Sequence, residues 1–173
     1  MKFLALLVFV LCISGVSVLS QAKRGRAEFT PGNGFGGHSE GTGMLRLFLG
    51  KRGHFHVESH GYDMPEGTIR LDHTVTFEGK PSQRRTWMLK AISQDHFTGT
   101  LSDAPGRVTG HTNGSRLMLK YRVKGPLIMH QTLVLMPDGK TIDNLGKITF
   151  LGVTVGHLHE TITRKDWAIT SNR

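Results

Sequence analysis

The residues of this 173-residue chain that could do chemistry fall into two groups. His73 and Arg85 lead the first. His73 falls on the apolar face of its run, with Ile69, Leu71, Val75 and Phe77, by simple alternation. If Glu78-Gly79-Lys80 make the turn, His73 stands opposite or diagonal to Arg85 and both point inward. A buried guanidinium is costly unless paired. Arg85 therefore meets a carboxylate not evident in the sequence, reaches the mouth of the fold, or awaits an anionic ligand. Its planar fork fits both oxygens of a carboxylate; neutral His73 would add a hydrogen bond, and Trp87 would cover an attached apolar chain.

The second group is histidine-rich. His54, His56, Glu58 and His60 alternate on one strand face, and His157 with His159 repeat the pattern. Imidazoles so spaced can hold zinc, copper or iron. Phe55 and Val57 occupy the other face, so these histidines are expected to face solvent and to hold no metal. Ser39, Ser59, Ser82, Ser93, Ser102 and Ser115 all lack the Gly-x-Ser-x-Gly setting of a nucleophile. Asp95 and Asp103 adjoin turns, where an aspartate usually caps its own backbone. The glycines before Thr42 lack the flanking strand and helix of a phosphate loop. No catalytic residue and no cofactor is expected; the alternative is an enzyme using His73 as acid/base and Arg85 as anion clamp.

The elements that must position these residues are strands. After residue 43 the hydrophobic period is two: in 68–77, in 84–91, and in 116–123, where Leu117, Leu119, Tyr121 and Val123 alternate with Arg116, Met118, Lys120 and Arg122. Turn signals separate them at Glu78-Gly79-Lys80, 102–106, Asn113-Gly114, Lys124-Gly125-Pro126 and Pro137-Asp138-Gly139. Extended to Arg46, Phe55, Phe97, Val108, Leu133, Ile148 and Val155, this spacing predicts nine or ten consecutive antiparallel strands and no amphipathic helix. A meander that large removes its edges by closing, so the fold class is all-β, an up-and-down barrel, with a two-sheet sandwich as rival.

Residues 1–22 read as a signal peptide, with Lys2, an apolar run from Phe3 to Leu19, and small residues at Ser20 and Ala22. The protein is thus expected to be exported, to the periplasm or beyond, with an uncleaved membrane anchor as the alternative. Residues 23–43 read as a Gly/Pro-rich leader, 44–165 as the barrel and 166–173 as a tail. The one cysteine, Cys12, lies in the signal, so no internal disulfide follows export. Without Lys2 the mature chain has 21 basic and 13 acidic residues, a charge of +8. The basic residues are scattered without aromatic interleaving, which argues for a solvated surface, with peripheral contact to an anionic membrane open to it, rather than a nucleic-acid site.

Taken together, the run Leu71 to Trp87 with Glu78-Gly79 and Arg85-x-Trp87, then Phe97-Thr98-Gly99, Asp103 to Gly110, Asn113-Gly114 and Asn144 to Gly156 resemble the lipocalin-like family catalogued as domain of unknown function 3833. The resemblance spans Phe35 to Arg164. It implies a lipocalin-like barrel in an exported bacterial protein, and no established activity. Two positions depart from the expected pattern: His73 in place of a glutamate, and Leu145, after Asn144, in place of an arginine. The expected function is binding of a small, largely apolar or carboxylate-bearing ligand by a monomer, at His73, Arg85, Trp87, Tyr121, Leu71 and Leu119, with Leu89 and Leu117 also inside. The remaining class is a structural envelope protein with a packed interior.

Overall fold

The computed structural model describes residues 28–165; the expected signal peptide, Cys12 and the C-terminal tail lie outside the described residues. The barrel is closed and has ten strands: β1 (Gly37–Leu47), β2 (Arg52–Met64), β3 (Thr68–Phe77), β4 (Gln83–Ala91), β5 (His96–Leu101), β6 (Ala104–Asn113), β7 (Arg116–Arg122), β8 (Leu127–Leu135), β9 (Thr141–Phe150) and β10 (Val153–Lys165). Each strand pairs antiparallel with the next, and β1 closes on β10 in the register His38 opposite Lys165 to Leu47 opposite Gly156. Alternation decides which residues enter. Leu71, Trp87, Leu89, Leu117, Leu119, Tyr121 and Leu133 fill the interior, while their sequence neighbours face water.

The barrel starts earlier than its pattern suggests. The expected leader, 23–43, contains a short helix α1 (Pro31–Phe35) and the first seven residues of β1. That strand sends Ser39, Gly41 and Gly43 inward, so no apolar alternation marks it. The glycine at 41 is needed for space: a methyl group there would collide with the carboxylate of Glu160 across the β1/β10 seam.

α1 covers one end of the barrel. Thr30 caps it by accepting from the Asn33 amide at 3.2 Å, Asn33 Oδ1 accepts from the Thr30 amide at 2.8 Å, and Pro31 presets the first turn. Just before it, the Phe29 amide donates to the Gly114 carbonyl in the β6–β7 turn, across the barrel from β1 and β2. The segment therefore spans the opening, and Phe29 and Phe35 turn their rings into the core edge to face, 5.6 Å apart. Among the described residues no element covers the opposite end, where the β1–β2, β3–β4, β5–β6, β7–β8 and β9–β10 turns lie.

One of those turns is strained. Leu151 and Gly152 link β9 to β10 with φ of 48° and 86°, a two-residue connection that favours Asn-Gly. A leucine side chain in the left-handed region costs about 1 kcal/mol or more. Leu151→Asn is accordingly expected to raise stability by about 1 kcal/mol, read as a higher urea midpoint at unchanged slope.

Candidate functional site

Two chambers lie end to end inside the barrel. The one beneath α1 is nearly filled, about 40 Å³, between Phe35, Leu71, Trp87, Leu89, Leu119 and Leu133. The one toward the uncovered end is roomier, about 230 Å³, between Leu45, Val75, Phe77, Leu101, Met129 and Ile148. Arg85, Gln131 and Glu160 line both and form the polar layer between them.

One side of that layer is a hydrogen-bonded chain from inward positions of β7, β8, β9 and β10. Tyr121 Oη donates to Gln131 Oε1 at 3.1 Å, Gln131 Nε2 to Asn144 Oδ1 at 3.3 Å, and Asn144 Nδ2 to Glu160 Oε2 at 2.8 Å. Burial keeps the Tyr121 phenol protonated, its pKa pushed up to about 12. Burial also raises the Glu160 carboxyl, while the bond from Asn144 and the charge of Arg85 pull it back down. Arg85 thus has a buried carboxylate in its field, although no ion pair joins the two.

The other side of the layer is left unsatisfied. His73 and Arg85 are direct cross-strand partners, as the turn at Glu78-Gly79-Lys80 requires. Nevertheless His73 Nδ1, Arg85 Nε and Trp87 Nε1 are all buried without a hydrogen-bond partner. Desolvation, then the neighbouring Arg85 charge, push the His73 pKa down to about 3, so the ring is neutral. The Trp87 ring stands 6.2 Å from His73 and meets Tyr121 edge to face at 5.0 Å. Three unmet groups thus converge on one wall, two of them fixed N–H donors.

All six residues expected at the site are inside, but not around one chamber. Leu71, His73, Trp87 and Leu119 line the filled chamber, Tyr121 the open one, and Arg85 both. Glu160, Asn144, Gln131 and the buried serines Ser39 and Ser59 were not foreseen. A signal existed for three of them. Glu160 stands between Leu158 and Ile162, Asn144 follows Ile142 by two, and Gln131 falls between Met129 and Leu133, each a polar residue on an apolar face.

The histidines of the second group line the outer wall. His54, His56, His60, His157 and His159 are exposed, and His159 is held by Asp143 at 2.8 Å. A concavity of about 830 Å³ is an open trough on this wall beside His54, His56 and Pro81, and lacks the buried unmet polar atoms of the interior. Nearby, His38, Glu58 and His60 bring ligand atoms within 4.8 Å of one another. The two imidazoles are stacked 4.7 Å apart and 5° from parallel. Their in-plane lone pairs therefore run in separate parallel planes and cannot meet on one ion unless a ring turns.

A family profile described as a protein of unknown function (DUF3833) matches residues 7–164. Among solved structures, the S-type phycobiliprotein lyase CPES of Guillardia theta superposes with a TM-score of 0.62 at 10% identity, over 83% of this chain and 96% of that one. A DUF3598-family protein of unknown function from Nostoc punctiforme gives 0.58 at 12%, over 82% of this chain and 51% of that one. No curated protein matches. At such identities the likeness is one of fold.

Proposed function

The chain belongs to the DUF3833 family, and from that premise and the interior just described we propose that it binds a small, amphiphilic, carboxylate-bearing ligand inside its barrel. One observation carries this: Arg85 Nε, Trp87 Nε1 and His73 Nδ1 are buried and unmet on one wall, His73 and Trp87 lining the filled chamber and Arg85 reaching both it and the open one. Each such group costs about 1–3 kcal/mol when left dry and unpaired, a cost that an acidic head would relieve. A chamber of about 230 Å³ is smaller than most drug-sized pockets, so the ligand is short or its tail leaves through the uncovered end. The proposal includes export, on the strength of the charged start and apolar run of residues 1–22.

The Guillardia neighbour is a lyase, and the enzyme reading would have His73 move a proton here. A ring whose pKa is about 3 is a poor base near neutral pH, which favours a hydrogen-bonding role. The packed-interior reading fits the filled chamber but leaves the three unmet groups unexplained.

Titration with a fluorescent fatty acid tests the proposal. Arg85→Met should weaken binding about thirtyfold, the loss of about 2 kcal/mol from a charge-assisted pair. Arg70→Met, which removes an exposed arginine paired with Asp72 at 2.8 Å, should leave affinity unchanged. Equal affinities across both variants and the parent would sink the site.

A further inference from the structure

We propose that the uncovered end of the barrel docks on an anionic lipid bilayer. In the order of strands around the barrel, the β1–β2, β9–β10 and β7–β8 turns are neighbours on this rim. Two of them carry large apolar side chains outward: Phe48 is 72% exposed, Leu151 78% and Val153 67%, with Leu47 and Phe150 beside them. Exposed apolar residues gathered on adjoining turns mark a contact surface, unlike the scattered ones any protein shows.

The charge around them names the partner. Segments 46–52, 122–128 and 147–153 contain Arg46, Lys51, Arg52, Arg122, Lys124 and Lys147 and no acidic residue. The covered end also exposes apolar side chains, Tyr62, Met64, Ile92 and Met136, but they sit among Asp63, Glu66, Asp95 and Asp138. Apolar tips flanked by basic residues suit a surface that offers hydrocarbon beneath negative head groups. An anionic bilayer supplies hydrocarbon and negative charge together at every point, so it needs no matching pattern on the rim.

Leu151 adds an independent point. It occupies a left-handed position that asparagine or glycine would hold without strain, and among the described residues it is the most exposed of the large apolar side chains. Neither folding nor solubility asks for a leucine there, and insertion among acyl chains does. The docked end is also the end nearer the open chamber, so the ligand's route in and out would face the membrane. Docking itself stands apart from the ligand reading, because none of the apolar or basic rim residues named above lines either interior chamber.

Vesicles of phosphatidylcholine with and without phosphatidylglycerol provide the test, using the full chain carrying Phe48→Trp, with Tyr62→Trp as the opposite-end control. The indole at 48 should shift to shorter wavelength and be quenched by brominated lipid on the anionic vesicles alone. The indole at 62 should do neither, which separates docking from any insertion by the apolar start of the chain. In the Phe48→Trp background, Lys51→Gln with Arg52→Gln should lower partitioning about thirtyfold. Leu151→Asn should lower it too while the protein becomes no less stable. Arg85→Met should bind vesicles like its parent, whatever it does to ligand affinity. Equal quenching at 48 and 62, or quenching without dependence on phosphatidylglycerol, would overturn the proposal. So would a dimer in sedimentation that Leu151→Asn dissolves, with no quenching at 48, since the rim would then be an interface between protein copies.

Discussion

Lowering the pH from 6.5 to 4.5 is expected to cost the barrel about 2 kcal/mol through His73 alone. The unfolded imidazole titrates near 6.5, whereas desolvation and the Arg85 charge hold the folded ring down to about 3. A depressed folded pKa gives stability that is whole above the unfolded value and is lost as pH falls toward the folded one. The loss is about 1 kcal/mol per pH unit, somewhat under the ~1.4 of a fully dry group, because the residue as a whole is not fully buried although its Nδ1 is. Glu160 acts with the opposite sign: its raised pKa gives stability present below the unfolded value near 4.5 and lost as pH rises through the folded one. The parent curve mixes the two, and His73→Leu separates them. Urea midpoints from pH 7 to 4.5 should fall more steeply in the parent than in His73→Leu; parallel curves would show that His73 is not held neutral by its site.

The sequence made the barrel legible wherever the inward residues were apolar. Leu117, Leu119 and Tyr121 against Lys120 and Arg122 leave one orientation for β7, and one orientation for each of its neighbours fixes the meander. β1 escaped for the converse reason, since Ser39, Gly41 and Gly43 face inward and small or polar residues carry no hydrophobic period. The same blindness hid Glu160. Its partner in the field, Arg85, was recognisable as an inward arginine in need of a counter-charge, but which of 13 acidic residues supplies it depends on β10 lying across the barrel from β4. Gly41 shows how such long-range fits are written in sequence: a missing side chain on one strand makes room for a carboxylate on the next.

Arg85 and Glu160 should reveal themselves by moving stability together and ligand affinity apart. Removing either leaves the other as a buried group without its opposite charge, and such losses run to about 3 kcal/mol. Glu160→Leu in addition strands the amide of Asn144. The double variant Arg85→Met, Glu160→Leu removes both charges from the dry layer, so it should be more stable than the sum of the single losses predicts, a coupling of about 1–3 kcal/mol in urea unfolding. Strict additivity would mean that the two charges do not sense each other. Binding should split the pair: Arg85→Met weakens an anionic ligand, while Glu160→Gln, which keeps the shape and the contact with Asn144, frees the guanidinium from a competing negative charge and tightens the ligand by about threefold to tenfold. A purely structural layer has no means of producing that reversal. If Glu160→Gln and Arg85→Met lowered affinity alike, or neither changed it, the polar layer would be a device for holding ten strands in one register rather than a seat for an acid.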